Sequence, residues 1–310
     1  MRDPKIDVSI CMLTCNHEKF IAQAIESVMM QKTDFVIELV IGEDCSTDNT
    51  RAICMEYQQK YPDTIKLLLP EKNLGATQNF IEIFQICKGK YIALCEGDDY
   101  WTDPYKLQKQ VDLLEAYPNF TLCCHDWEVN TDGIITPSPV HHKYKEIRFF
   151  NFETLPWTWI TKTATLLFRK ESLDITILQR YQYSRDVHLV YHLLENGTGV
   201  FLPSVMAVYR VHGGGVWGQQ NMNKRNEVTA NLYQELYAYE PNTGTKRRSL
   251  YANLAYFNGV LYSNDKAYKG KNIWKIFFRS RHLISHVKDI IFYIGSLFPT
   301  KWINYIREKI

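Results

Sequence analysis

The sequence predicts an α/β protein: a mainly parallel sheet flanked by helices, followed by a helical C-terminal extension. Two observations carry this. Over the first 130 residues, short β-rich apolar runs alternate with segments whose apolar residues recur at helical spacing, and strands joined by helix-length crossovers pair in parallel. Beyond about residue 220 the strand pattern stops and only helical periodicity remains.

The elements follow in order. Val8–Thr14 (VSICMLT) is a strand, Lys19–Gln31 an amphipathic helix and Ile37–Gly42 a second strand. Thr47–Tyr61 reads as a helix, with Ser46 or Thr47 as its cap and Asp48 in its first turn. Ile65–Leu69 is the third strand, Ala76–Lys88 the third helix and Tyr91–Cys95 the fourth strand. A helix opened by Asp103-Pro104 runs to about Tyr117, and Phe120–Cys124 is the next strand. A later strand ends in Tyr209, Arg210, Val211 and His212. Helices are expected over Asn221–Tyr239, Lys246–Tyr262 and Asn272–Leu297.

Composition sets limits. With 310 residues, 45% hydrophobic and 23% charged, the chain is neither low-complexity nor disordered. Residues 246–310 hold 13 Lys and Arg against 3 Asp and Glu, a balance of +10; the total of +2 leaves −8 for residues 1–245. All eight cysteines fall within the first 124 residues and none forms a CxxC pair. Buried, reduced thiols of a cytoplasmic protein are therefore expected, not a disulfide scaffold or a zinc site. The charged start MRDPKIDVSICML is unlike a signal peptide, and no 18-residue window is apolar enough for a membrane span.

In parallel sheets, ligands bind beyond the carboxyl ends of the strands. Three polar clusters converge on that edge: Thr14–Glu18 after strand one, Glu43–Asp48 after strand two and Glu96–Asp99 after strand four. The last, in YIALCEGDDYW, sets three carboxylates into four positions, where they repel one another unless a cation sits among them. Neither GxGxxG nor GxxxxGK is present. A divalent cation, Mn²⁺ or Mg²⁺, is then the expected partner of any nucleotide phosphates, because hard cations take carboxylate and phosphate oxygens together.

VSICMLTCNHEKFIAQAIESVMMQ, ELVIGEDCSTDNT, NLGATQNF and GKYIALCEGDDYW occur in the order and spacing of the family 2 glycosyltransferases, which this sequence resembles strongly over residues 5–130 and more loosely to about 215. The resemblance implies the GT-A fold and inverting sugar transfer from a nucleotide diphosphate donor, UDP-sugar favoured, to an acceptor hydroxyl. Its donor half would be 1–130 and its acceptor half 131–218, with 219–310 as a basic helical extension. Carried over residue by residue, the resemblance assigns donor contacts to Thr14, Asn16, Glu18, Asp44, Asn73, Gly75 and Asp98. Asp99 and Asp98 match the metal-binding acids. Trp101 either walls the donor sugar or belongs to the core, and Glu43 and Glu96 are supporting or solvated groups. In YRVH, His212 either ligates the metal or orients a neighbour. Trp157, Thr158 and Trp159 lie where the family often lines its acceptor pocket.

Inversion needs a base to take the proton of the acceptor hydroxyl. The family carries it in an "ED" motif opening a helix; YSRDVHLVYHLLENG makes it Asp186, with Arg185 in place of the first acid. Asp126, in HDWE, is the alternative base. Family processive synthases carry QxxRW and transmembrane helices; their absence implies transfer of single sugars. A glycan or lipid-linked glycan acceptor follows, in capsular polysaccharide, O-antigen or lipopolysaccharide assembly, at the cytoplasmic face of the membrane. The +10 tail suggests peripheral contact of 246–310 with anionic lipid, and no nucleic-acid motif accompanies it. Two rivals remain: a nucleotidyltransferase, which wants a glycine-rich basic loop where TCNHEKF offers only Lys19, and a nucleotide-sugar binding module without catalysis.

Overall fold

The computed structural model describes residues 6–155, 159–182, 186–214 and 221–261. The chain forms two compact units, Met1–Arg180 with Ser184–Gly215, and Tyr181–Tyr183 with Val216–Ile310.

The first unit is a mixed sheet covered by helices. Its elements are β1 (Val8–Thr14), α1 (Ile21–Met29), β2 (Ile37–Glu43), α2 (Thr50–Lys60), β3 (Ile65–Leu68), α3 (Ala76–Ile86) and β4 (Tyr91–Leu94). They continue through β5 (Tyr100–Trp101), α4 (Lys106–Ala116), β6 (Phe120–Thr131), β7 (Ile134–Pro137), β8 (Arg148–Phe150), β9 (Leu167–Arg169), α5 (Asp186–Glu195) and β10 (Thr198–Val211). The strand order is β3-β2-β1-β4-β9-β6-β10-β5, with β7 on β6 and β8 on β10. β3, β2, β1 and β4 pair in parallel, as do β6 and β10, while β9 runs antiparallel between β4 and β6.

Continuous apolar runs make strands buried on both faces: Val8, Ile10, Cys11, Met12, Leu39, Val40 and Ile41 are wholly inaccessible. α1 closes one face with Ile21, Ala24, Ile25 and Val28, spaced to share one helix side. Full burial of each of the Ile and Val side chains stabilises by roughly 1.5–3 kcal/mol. Because β2, β1 and β4 are adjacent, their carboxyl ends open side by side.

Two expectations need correction. Ser46 and Thr47 do not cap α2; the N-cap residue is Asn49, without a side-chain cap bond. Asp48 precedes the helix, its Oδ1 accepting from Thr50 N at 3.0 Å. The strand expected over Phe120–Cys124 runs on to Thr131, because β10 pairs along it as far as Val211. All eight cysteines are free: six are buried, and Cys15 and Cys45 are half-buried.

In the second unit, α6 (Met222–Tyr239) is capped by Asn221, whose side chain accepts from Lys224 N, and it packs with α7 (Thr243–Leu261). No described helix is long and apolar enough to cross a membrane. The helix expected over 272–297 lies outside the described residues.

Candidate active site

The turn after β1 and the loop after β2 are joined by their own polar groups. Asn16 N donates to Ser46 Oγ at 2.9 Å and Asn16 Oδ1 accepts from Thr47 N at 2.8 Å. Glu18 N donates to Asp48 Oδ2, and Glu18 Oε2 accepts from Asn49 N, both at 3.1 Å. Asn16 sits in the left-handed region (φ 57°), where asparagine is among the better tolerated residues. Glu43 is fully buried: it accepts from Ser46 N at 2.7 Å and pairs with Arg51, so it shapes the loop from beneath. Asp44 tethers the Asn73–Gly75 turn, its two oxygens accepting from Leu74 N at 2.6 Å and Gly75 N at 2.9 Å. Asn73 Nδ2 donates back to Asp44 O at 2.8 Å. The expected donor residues Thr14, Asn16, Glu18, Asp44, Asn73 and Gly75 therefore form one hydrogen-bonded rim, and Gly75 leads directly into α3.

The acids after β4 sit deeper. Glu96 Oε2 accepts from Thr163 Oγ1 at 2.5 Å; burial, then the nearby Asp98 charge, pushes its carboxyl up to about 7. Asp99 is inaccessible. Its Oδ1 accepts from Arg210 N at 2.8 Å, while Oδ2 is buried without a hydrogen-bond partner. Burial, then the charges of Asp98 and Glu96, raises Asp99 well above the carboxylate range. Burial also pushes Asp98 upward, but the His212 bond and the two imidazoles outweigh it and the net shift is downward. One carboxylate oxygen from each of Glu96, Asp98 and Asp99 lies within 4.8 Å of the others. Hard oxygen donors converging beside an orphaned buried oxygen fit a divalent cation, which would remove both the repulsion and the unmet acceptor.

β10 braces these acids. Arg210 donates to Asp98 O at 2.5 Å and to Gln23 Oε1, and its guanidinium lies 4.4 Å from the Tyr100 ring centroid. His212 Nε2 lies 3.0 Å from Asp98 Oδ2. Its Nδ1 accepts from Gly214 N at 3.2 Å, which leaves the ring proton on Nε2 and makes it a donor to Asp98. The Asp98 bond is the geometry of orienting a neighbour, and His212 also groups with His17 and Asp98 as a candidate metal ligand, so both roles stay open.

Asp186 opens α5, with Oδ1 accepting from Val187 N at 2.9 Å. It lines a cleft with Glu96, Thr163, Leu13, Thr77 and Leu189, so the expected base shares a cavity with one member of the acid cluster, Glu96. Asp126 is different: it is fully buried and accepts from Trp127 N at 2.8 Å and Ser138 Oγ at 2.5 Å, with His141 Nδ1 2.6 Å from its other oxygen. It clasps the β6–β7 region and is not placed as a base. Trp101 takes the core role: it is 1% exposed, its indole N–H donates to Ala164 O at 2.8 Å and Lys106 lies over its ring. Trp157, Thr158 and Arg185 lie outside the described residues.

Residues 9–178 match the family described as glycosyl transferase family 2. The chain belongs to this family. The chain is 33% identical over 229 residues to an uncharacterized protein of Mycobacterium tuberculosis, covering 70% of this chain and 62% of that one. It is 32% identical over 107 residues (34% of this chain, 41% of the other) to TuaG of Bacillus subtilis, described as a putative teichuronic acid biosynthesis glycosyltransferase. Among solved structures, Staphylococcus aureus TarS 1–349 in complex with UDP-GlcNAc matches with TM-score 0.68 at 16% identity, over 97% of this chain and 90% of that one. The mannosyltransferase PcManGT of Pyrobaculum calidifontis, in complex with GDP-Man and Mn²⁺, matches with TM-score 0.55 at 13% identity, over 100% and 87%. The chain thus has the GT-A fold.

Sequence reasoning missed three residues of this site. His17 lies inside the turn already singled out, so its position was available. Thr163 bonds Glu96. Lys162 lies over the Tyr209 ring at 4.3 Å, and its charge partly offsets the upward shift that burial imposes on Glu96 and Asp99. Lys162 and Thr163 precede β9, far along the chain from the acids, and no local pattern marks them.

Proposed function

We propose that this chain is an inverting, cation-dependent, non-processive glycosyltransferase that moves a sugar from a nucleotide diphosphate-sugar, with UDP favoured, to an acceptor hydroxyl. The observation that carries this is the inaccessible Asp99, with one oxygen unmet, grouped with Asp98 and with Glu96, which lines a cleft that also holds Asp186. Asp98 and Asp99 would hold the cation, with Glu96 beside them. When bound, Mn²⁺ or Mg²⁺ supplies charge that stabilises the departing diphosphate.

The chain's own residues do the rest. The rim of Thr14, Asn16, Asp44, Asn73 and Gly75 receives the nucleoside, and its mutual bonds preorganise it. Arg210 and His212 hold Asp98 in one orientation. Asp186 accepts the proton of the acceptor hydroxyl as that oxygen attacks the anomeric carbon from the face opposite the diphosphate. A single carboxylate suffices, because a cation-stabilised leaving group needs no proton.

The UDP-GlcNAc complex of TarS supports a nucleotide-sugar donor, the Mn²⁺ complex of PcManGT supports a divalent cation, and the name of TuaG supports cell-envelope polysaccharide assembly. A glycan or lipid-linked glycan acceptor at the inner face of the membrane, approached through the basic 246–310 tail, completes the proposal. The test is Mn²⁺-dependent hydrolysis of a panel of nucleotide sugars by the wild type and Asp99→Asn. Asparagine keeps the bond from Arg210 N through its amide oxygen, so the variant should fold. Hydrolysis by the wild type, lost about 100-fold or more in the variant, is the expected outcome. Binding of nucleotide with Mn²⁺ but no turnover, even with candidate acceptors, would favour a binding module without catalysis.

A further inference from the structure

We propose that His17 supplies a nitrogen ligand to the cation bound at Asp98, making the site favour Mn²⁺ over Mg²⁺; this rests on the cation-dependent function proposed above. His17 reaches the acid turn because residue 97 is glycine: a Cβ there would lie 2.5 Å from Thr14 Oγ1 and 3.0 Å from His17 Nδ1. The ring is held by Thr14, whose hydroxyl lies 3.2 Å from Nδ1. That hydroxyl accepts an Nδ1–H as readily as it donates, so nothing keeps the proton on Nε2.

His17 Nε2 makes no hydrogen bond among the described residues. It lies 3.8 Å from Asp98 Oδ2, beyond hydrogen-bond reach. That separation suits two ligands of one ion, which at bonds of about 2.0–2.2 Å stand roughly 3–4 Å apart. One ligand atom each from His17, Asp98 and His212 lies within 4.8 Å of the others, and Asp98 belongs equally to the Glu96–Asp98–Asp99 set. The side chains of His17 and Asp98 are 17% and 18% exposed, open enough to admit an ion from solvent. The two imidazoles are not equivalent: the Gly214 N–H commits His212 Nε2 to donating, whereas His17 Nε2 can present a lone pair. Carboxylates alone suit Mg²⁺, and an added imidazole shifts preference toward first-row transition ions.

The experiment is pulsed electron paramagnetic resonance on the full chain loaded with Mn²⁺ alone and then with Mn²⁺ and UDP, using wild type, His17→Gln and His212→Gln. Isothermal titration with Mn²⁺ and Mg²⁺ accompanies it. The expected result is ¹⁴N modulation in the wild type that persists in His212→Gln and vanishes in His17→Gln. Mn²⁺ affinity should fall about tenfold in His17→Gln, while Mg²⁺ affinity changes less than about twofold. Should His17→Gln fail to fold, ¹⁴N modulation persisting in His212→Gln still supports the proposal, since His17 is the other imidazole in reach. Nitrogen modulation lost only in His212→Gln overturns it. So does ³¹P modulation from UDP without ¹⁴N modulation, which would leave the cation-dependent function standing. Absence of any Mn²⁺ binding overturns both.

Discussion

Single residues separate chemistry from scaffolding here. Asp186 and Asp126 are both carboxylates that the sequence offers as a base, and their surroundings divide them. Asp186 faces the cleft with Glu96, whereas Asp126 is buried among Trp127 N, Ser138 and His141. Asp186→Asn should lower kcat about 10²–10⁴-fold with an unchanged melting temperature. Asp126→Ala should cost about 2–4 kcal/mol of stability in denaturant unfolding, because it strands buried partners. The reverse pattern would exchange their roles. A second single-residue effect is pH dependence. Burial drives Lys106 from its usual 10.5 down to about 7, with its Nζ bonded to Gln110 at 2.7 Å. Its folded pKa is depressed, so between about pH 7 and 10.5 the unfolded chain binds more protons and stability rises with pH. Below about 7 both states carry the proton and the penalty is constant. Melting curves from pH 6 to 9 should therefore slope less in Lys106→Met than in the wild type, whatever the offset between them. Equal slopes would refute a neutral Lys106 in the folded state.

At the level of elements, the site is made by strand ends and the turns that leave them. Two glycines of this region answer to different physical causes. Gly75 has φ 78° and ψ 157° with open space around it, so Gly75→Ala pays for backbone conformation alone, about 1–3 kcal/mol. Gly42 lies within β2, where a Cβ would stand 2.3 Å from Asn79 Oδ1 and 2.5 Å from Ile83 Cδ1, so Gly42→Ala must displace the Asn79 and Ile83 side chains of α3 and strain the bond from Asn79 Nδ2 to Gly42 O. Gly42→Ala should lose clearly more stability than Gly75→Ala, by about 1–3 kcal/mol. A larger loss at Gly75 would mean that the turn, and not the strand–helix contact, is the tighter constraint. The apolar periods exposed β1, β2, β3 and β4 and the helices between them, because each buries a continuous run or one helix side. β5 and β9, of two and three residues, carry too few positions for a period and were not legible.

For the whole molecule, charge is divided along the chain, with −8 over 1–245 and +10 over 246–310. Residues 262–310 alone hold ten Lys and Arg against three Asp and Glu. If the tail meets anionic lipid, the full chain should sediment with phosphatidylserine-containing vesicles and be released by about 0.5 M salt, where screening shortens to a few ångströms. A chain ending at Leu261 should lose most of this binding. Vesicle binding unaffected by that truncation would move the contact elsewhere.

The sequence by itself determined the fold class and the family, since hydrophobic period and turn composition are local properties. It named Asp98, Asp99 and Asp186 as candidates from motif and turn composition, without any coordinate. What only the tertiary structure decided is which atoms are spoken for: that Trp101 belongs to the core, that Asp126 is a clasp, that His212 donates to Asp98 and that Asp99 keeps an unmet oxygen. These depend on partners such as Arg210 and Thr163, which stand 111 and 67 residues away from the acids they touch. No window of sequence contains such pairs; they meet only when β4, β9 and β10 enter one sheet.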